Sequence, residues 1–254
     1  TKMCFSPRWE RDLLYIAMQG LGSAFEEVRD EGDDALFIWS EEALKKGVKY
    51  IREWSRDVNE NSFLEDEFKF KYLYDVPYIL IQNNFCTFYY MSTDELFSIP
   101  KEKMEEIDFR YLQFFGKLPC KDNILYAGIM AESKNKKTSE AFLNWFYSTD
   151  VQERLLMRKV QNNLPLEEFG IAGGFSALKP ITETIFPKYY PLLLSHLPPM
   201  QNIVPPRILP TNWKIIKDEI LFPYLIESTF YSEEEKAEGI LSLKERCEEW
   251  KVKH

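Results

Sequence analysis

Histidine, cysteine and paired glycines build most reaction centres, and their placement in this chain is poor for chemistry. The histidines are His196 and His254. Ser–His–Asp and Cys–His catalysis both need an imidazole held beside the nucleophile. His196 lies in Ser195-His196-Leu197-Pro198-Pro199 with no motif around it, and a neighbouring Ser195 is not thereby placed for proton transfer. Cys4, Cys86, Cys120 and Cys247 contain no C-x-x-C pair, so no zinc site is expected. Four cysteines in a chain of 254 residues do not make a disulfide scaffold. One bridge is compatible with them, and its pairing stays open. Gly20-Leu21-Gly22 and Gly173-Gly174 extend to neither a dinucleotide nor a P-loop fingerprint. Asp30, Glu31, Asp33 and Asp34 around Gly32 lack the alternating ligands and closing Glu of a calcium loop, and read as a solvated hairpin turn. No catalytic residue, metal or cofactor is expected, which points to a binding protein.

Composition narrows the class further. The chain is 45% hydrophobic, enough for one large domain or two small ones. Aromatics reach 15%, which suits either a thick core or a site that uses flat rings. The net charge is -9 and there is no Lys/Arg stripe, so no nucleic-acid partner is expected. No run approaches the roughly 18 apolar residues of a membrane span. Thr1-Lys2-Met3-Cys4 lacks a basic region leading into an apolar one, so it does not read as a signal peptide.

Helices are predicted from Trp9 to Met18, after the Ser40-Glu41-Glu42 cap with Leu44, Val48 and Ile51 inward, and from Phe63 to Tyr74. Others are predicted at Thr93-Asp94-Glu95, over Glu140–Tyr147 with Phe142, Trp145 and Phe146 inward, and from a Thr149–Gln152 capping box. Trp213–Leu221 should end near Pro223, and Ser232-x-x-Glu235 should open a last helix carrying Ile240, Leu243, Cys247 and Trp250. Strand-like runs are Phe25–Val28 and Leu36–Trp39 as a hairpin, then Phe85–Tyr90, Ile107–Phe115 and Ile124–Ala131. Strands interspersed with helices indicate an α/β fold.

Several segments, taken in order, resemble the C-terminal part of the extracellular solute-binding proteins that deliver sugars to ABC importers, the maltose-binding-protein-like group. Phe142-Leu143-Asn144-Trp145 … Ser148-Thr149-Asp150-Val151-Gln152 resembles the family's helix pair. Ala127-Gly128-Ile129 … Ser133-Lys134-Asn135 resembles the strand and turn that enter it. Gly170-Ile171-Ala172-Gly173-Gly174-Phe175-Ser176 resembles the loop returning past the ligand, and Leu209-Pro210-Thr211-Asn212-Trp213 the segment presenting a stacking Trp. The helix near Trp9, the acidic hairpin and Trp39-Ser40-Glu41-Glu42-Ala43 follow the family's order.

The resemblance implies a type II periplasmic-binding-protein fold, mainly its second lobe. Residues 1–122 would belong to that lobe, 123–177 to a crossover segment of the first lobe, and 178–254 to the returning helical part. The first-lobe βαβ sheet would lie upstream, leaving apolar surface and strand edges of 123–177 unpaired. It further implies a monomeric, extracytoplasmic receptor component anchored through an upstream lipoprotein signal. Its partners would be a sugar or oligosaccharide and the membrane subunits of an ABC transporter, with closure by hinge motion. Ring faces cover sugar C–H surfaces while charged and amide groups answer the hydroxyls. The implied ligand-binding residues are Arg8, Trp9, Tyr89, Tyr90, Asp94, Gly174, Phe175, Ser176, Asn212 and Trp213. Trp213 would be the platform, Asp94 and Asn212 hydroxyl partners, and Arg8 a donor. Trp54 and Trp145 are assigned to packing.

Two other classes compete: a carbohydrate-active hydrolase with a carboxylate pair, and an interaction protein that binds no small ligand. The hydrolase would place two carboxyl groups about 5–10 Å apart across a scissile bond. Chromogenic glycosides should therefore remain intact with this protein, and turnover abolished by an Asp or Glu substitution would move it to the hydrolases.

Overall fold

A computed structural model describes residues 2–28, 35–162, 168–231 and 240–254. The Asp30–Asp34 turn and the Ser232–Glu235 cap expected from the sequence lie outside the described residues. Helix accounts for about 53% of the structure and strand for about 5%. The chain divides into two compact units. The first holds Thr1–Tyr90, Leu112–Asp122 and Asn202–His254, and the second holds Met91–Tyr111 and Asn123–Gln201. The 123–177 stretch thus shares its unit with Met91–Tyr111 and with the chain as far as Gln201.

In the first unit the helix Arg11–Gly20 is covered on every side, with every residue from Leu13 to Gly20 buried. A helix so covered must be apolar nearly all round, and Leu-Leu-Tyr-Ile-Ala-Met supplies that. The helix Glu41–Asn59 packs against it. A methyl group on Gly47 would come within 2.4 Å of the Met18 sulfur, so glycine permits the approach. Ser40 Oγ accepts from the Ala43 amide at 3.3 Å, and Glu41 and Glu42 meet the positive helix end. Leu44, Val48 and Ile51 face the core, joined there by Phe25, Phe37, Trp213, Leu225 and Leu243. A smaller cluster of Met3, Phe68, Tyr72, Leu80 and Cys86 lies against Trp9 and Leu64.

Two proline positions depart from the simple expectation that the ring stops a helix. The run from Trp213 continues through Pro223 to Phe230, because Lys217–Leu221 forms a π turn just before it. The wider turn relieves the clash between the proline ring and the carbonyl four residues back. Ile181–Ile185 does the same ahead of Pro187. The last described helix, Leu243–Lys253, opens on a capping box of Ser242 and Glu245 and buries Leu243 and Cys247.

Strand structure is sparse because extended chain becomes a strand only where a partner completes the ladder. Leu118–Pro119 pairs in parallel with Ile203–Val204. Among the described residues the expected hairpin shows one antiparallel bridge, Glu26 to Ile38, with Phe25 and Phe37 buried beside it. Among the described residues Phe85–Tyr90 holds only the Met3–Cys86 bridge, and Ile107–Phe115 only the Phe114–Lys117 bridge. No hydrogen bond joins the backbone of 124–129 to another described residue.

The second unit is built on stacked rings. Phe97 stacks on Phe169 at 4.6 Å, and Phe175, Phe186 and Tyr190 surround Phe169. Ser92 and Glu95 form a capping box for Thr93–Phe97, whose Leu96 and Phe97 are buried. Thr149–Gln161 buries Val151, Gln152 and Leu156, and its N-cap is Ser148 rather than Thr149. The helix Lys136–Phe146 differs: none of its residues is buried. Phe142 and Trp145, expected to pack inward, are 57% and 54% exposed, and Leu125, Tyr126 and Met130 are exposed as well. Their apolar pattern has no covering surface among the described residues.

This contrast sets a stability test. Leu14→Ala, at a fully buried position, should lower the unfolding free energy by about 2–5 kcal/mol. Phe142→Ser should change it by less than about 0.5 kcal/mol. Urea titration of both variants checks the pair, and a large loss in Phe142→Ser would show that this ring packs inward.

Candidate functional site

Six of the expected ligand residues lie in the first unit. Arg8 is 4% exposed, and its guanidinium is committed internally. Its Nε donates to Glu65 Oε2 at 3.1 Å, Nη2 lies 3.2 Å from Asp66, and the group sits 4.7 Å over the Phe230 ring. A buried charge needs such partners, so Arg8 joins segments of the fold. Trp213 is also enclosed, at 6% exposure. Its ring packs edge-on to Phe37 at 5.4 Å and tilted against Phe25 and Tyr15. Its Nε1 donates to Asp122 Oδ2 at 2.6 Å, and Lys217 Nζ reaches the same oxygen at 2.6 Å. A stacking platform requires an open ring face, which this indole lacks. Burial, and then the charge of Asp122, push the neighbouring Tyr15 hydroxyl pKa upward. Asn212 is exposed at the N-cap of that helix and makes no side-chain capping bond.

Trp9 and Tyr89 are brought together. Both are half-buried, with ring centroids 5.6 Å apart in an edge-to-face pair, and Trp9 also meets Phe68 at 5.4 Å. The Tyr89 hydroxyl donates to Glu10 Oε1. Glu10 is half-buried, at the N-cap of Arg11–Gly20, so a carboxylate stands beside two partly open rings. Tyr90 is half-buried and packs on the main core. Glu10 was not anticipated; its signal was its place next to Trp9 at a helix start. Asp122 and Glu65, which hold Trp213 and Arg8, gave no such signal, because they lie 91 and 57 residues away in sequence.

The other four residues lie in the second unit. Asp94 is exposed, and its Oδ1 accepts from the Phe169 amide at 3.1 Å, so it braces the returning loop. That loop is tight: Ile171 and Gly174 exchange two backbone hydrogen bonds of 3.0 and 3.2 Å. Its central residues, Ala172 and Gly173, take φ +52° and +76°, and Gly170 just before it sits at φ +60°, where a methyl group would come 2.2 Å from the Gly174 carbonyl. Gly174 itself faces open space. Phe175 rests against Phe169 and Phe186 at 5.0 and 5.1 Å. Ser176 is buried, bonds Gln152 Oε1, and accepts from the Leu178 amide at 3.0 Å. It ties the loop to the helix Thr149–Gln161.

A cavity of about 300 Å³ in the first unit is lined by Glu219, Arg246, Glu249 and Trp250 among others, and contains none of the expected residues. Among the described residues no group of three or more His, Cys, Asp or Glu side chains is arranged to hold a metal ion. No described helix is long and apolar enough to cross a membrane. Compared with protein-family models, curated proteins and solved structures, the chain matches none.

Enclosure makes Trp213 a stability residue. Trp213→Ala should lower the unfolding free energy by about 3–5 kcal/mol in a denaturant titration. A variant as stable as the parent would mean that the ring is not part of the core.

Proposed function

We propose that this chain is part of the carbohydrate-binding component of an ABC importer, a non-enzymatic receptor of the extracytoplasmic space that acts by hinge motion. The observation that carries the reading is the half-buried Trp9–Tyr89 pair with Glu10 bonded to the Tyr89 hydroxyl. Flat rings suit the C–H faces of a sugar, and a carboxylate makes charge-assisted bonds to hydroxyls. The ordered family-like segments support the same assignment. So does the 124–129 backbone, which bonds no other described residue, since the family's counterpart segment belongs to a sheet supplied by the other lobe.

A second reading, an interaction protein without a small ligand, is favoured by the bare apolar side chains Leu125, Tyr126, Met130, Phe142 and Trp145. Isothermal titration against a panel of mono- and oligosaccharides separates the two. At least one sugar should give heat, and Trp9→Ala should weaken its binding by about 1–3 kcal/mol. Silence across the panel, together with strong binding of an apolar dye, would leave the interaction protein as the better account.

A further inference from the structure

We propose that Cys4 and Cys86 form a dithiol pair that closes to a disulfide, a modification site in the first unit. The two positions are 82 residues apart in sequence, and the fold lays them side by side. Met3 bridges Cys86 in parallel, with the Met3 amide donating to Phe85 at 2.8 Å. The Thr87 and Phe88 amides both donate to the Cys4 carbonyl, at 3.1 and 3.0 Å. The Cys86 thiol donates to the Phe88 carbonyl at 2.8 Å and lies 3.6 Å from the Cys4 carbonyl oxygen, near enough for the Cys4 thiol to act on it electrostatically. Paired strands run about 4.8 Å apart and a disulfide spans Cα separations of about 4.4–6.8 Å, so residues next to a bridge are within range. A regular ladder would turn their side chains to opposite faces, and the bends at Cys4 and Thr87 break that alternation.

The environments of the two thiols divide the labour. Cys4 is partly exposed and is the sulfur an oxidant reaches first. Cys86 is buried and burial raises its pKa, so it reacts second, and alkaline pH favours that step. The other two cysteines are placed elsewhere. The Cys120 amide bonds Val204 beside the parallel strand pair, and Cys247 lies in the main core on Leu243–Lys253.

With glutathione disulfide as oxidant, the Cys4 thiolate attacks one of its sulfurs, breaks the S–S bond and releases a glutathione thiolate. Cys86 then attacks the Cys4 sulfur of the mixed disulfide and expels the second glutathione. Its proton passes to that leaving thiolate. Two protein thiols are oxidised and one glutathione disulfide is reduced to two thiols.

The test is peptide mapping of the folded protein after incubation with glutathione disulfide at mildly alkaline pH. A linked Cys4–Cys86 peptide is expected, with the intact chain lighter by about two hydrogen masses. The thermal midpoint should rise by several degrees and return on reduction. Cys4→Ser should abolish both changes, while Cys120→Ser should abolish neither. Glutathione retained on Cys4 with Cys86 still free, or a link from Cys4 to Cys120 or Cys247, would overturn the pairing. The wild-type map decides the matter even if Cys86→Ser fails to fold. Either outcome leaves the carbohydrate reading standing, since it concerns different atoms.

Discussion

The carboxylate of Asp122 joins parts of the chain that are distant in sequence. It is almost fully buried and receives the Trp213 indole N–H and the Lys217 ammonium on one oxygen. A charge taken out of water is tolerable only when it is paired and hydrogen-bonded. The ammonium in turn lies over the rings of Tyr15 and Phe222, 5.2 and 5.4 Å from their centres. The segment carrying Leu118–Pro119, the central helix and the long helix from Trp213 are therefore fixed by one polar knot within an aromatic core. Asp122 is also the last residue of its segment in the first unit, so the knot anchors the chain where it departs.

Local signals were read well where local physics decides. The Ser40 cap, the amphipathic face of Leu44, Val48 and Ile51, and the helix around Leu13–Met18 follow from neighbours within a few residues. Less legible was anything that depends on a distant partner. Trp213 has the same sequence surroundings whether its ring meets a ligand or fills a core; what closes it in is Tyr15, Phe25 and Phe37, from far earlier in the chain. Arg8 reads as a donor until Glu65 is seen beside it. The glycines of the 170–174 turn looked alike in sequence, but Gly170 carries the steric demand and Gly174 does not.

The stretch from 124 to 147 shows a different limit. Its apolar residues have the spacing of strand and helix, a pattern expected of faces that pack against a partner. Pattern alone does not say that the cover is present. Among the described residues it is not, so extended backbone stays outside any ladder and Phe142 and Trp145 meet solvent. Hydrophobic periodicity is a statement about what a face would pack against, and the partner is a separate fact.

The π turns ahead of Pro187 and Pro223 carry one more implication. Each winds an additional residue into a single turn, and one residue of helix corresponds to roughly 100° of rotation. Side chains beyond the turn are therefore swung round relative to those before it, and it is in this new phase that Phe186 and Phe222 reach the interior. The two Phe-Pro pairs act as clutches: they disengage the apolar stripe from one bearing and engage it on another without interrupting the helix. Evolution can thus re-aim the far end of such a rod by gaining or losing one residue at the clutch, leaving both faces otherwise unaltered.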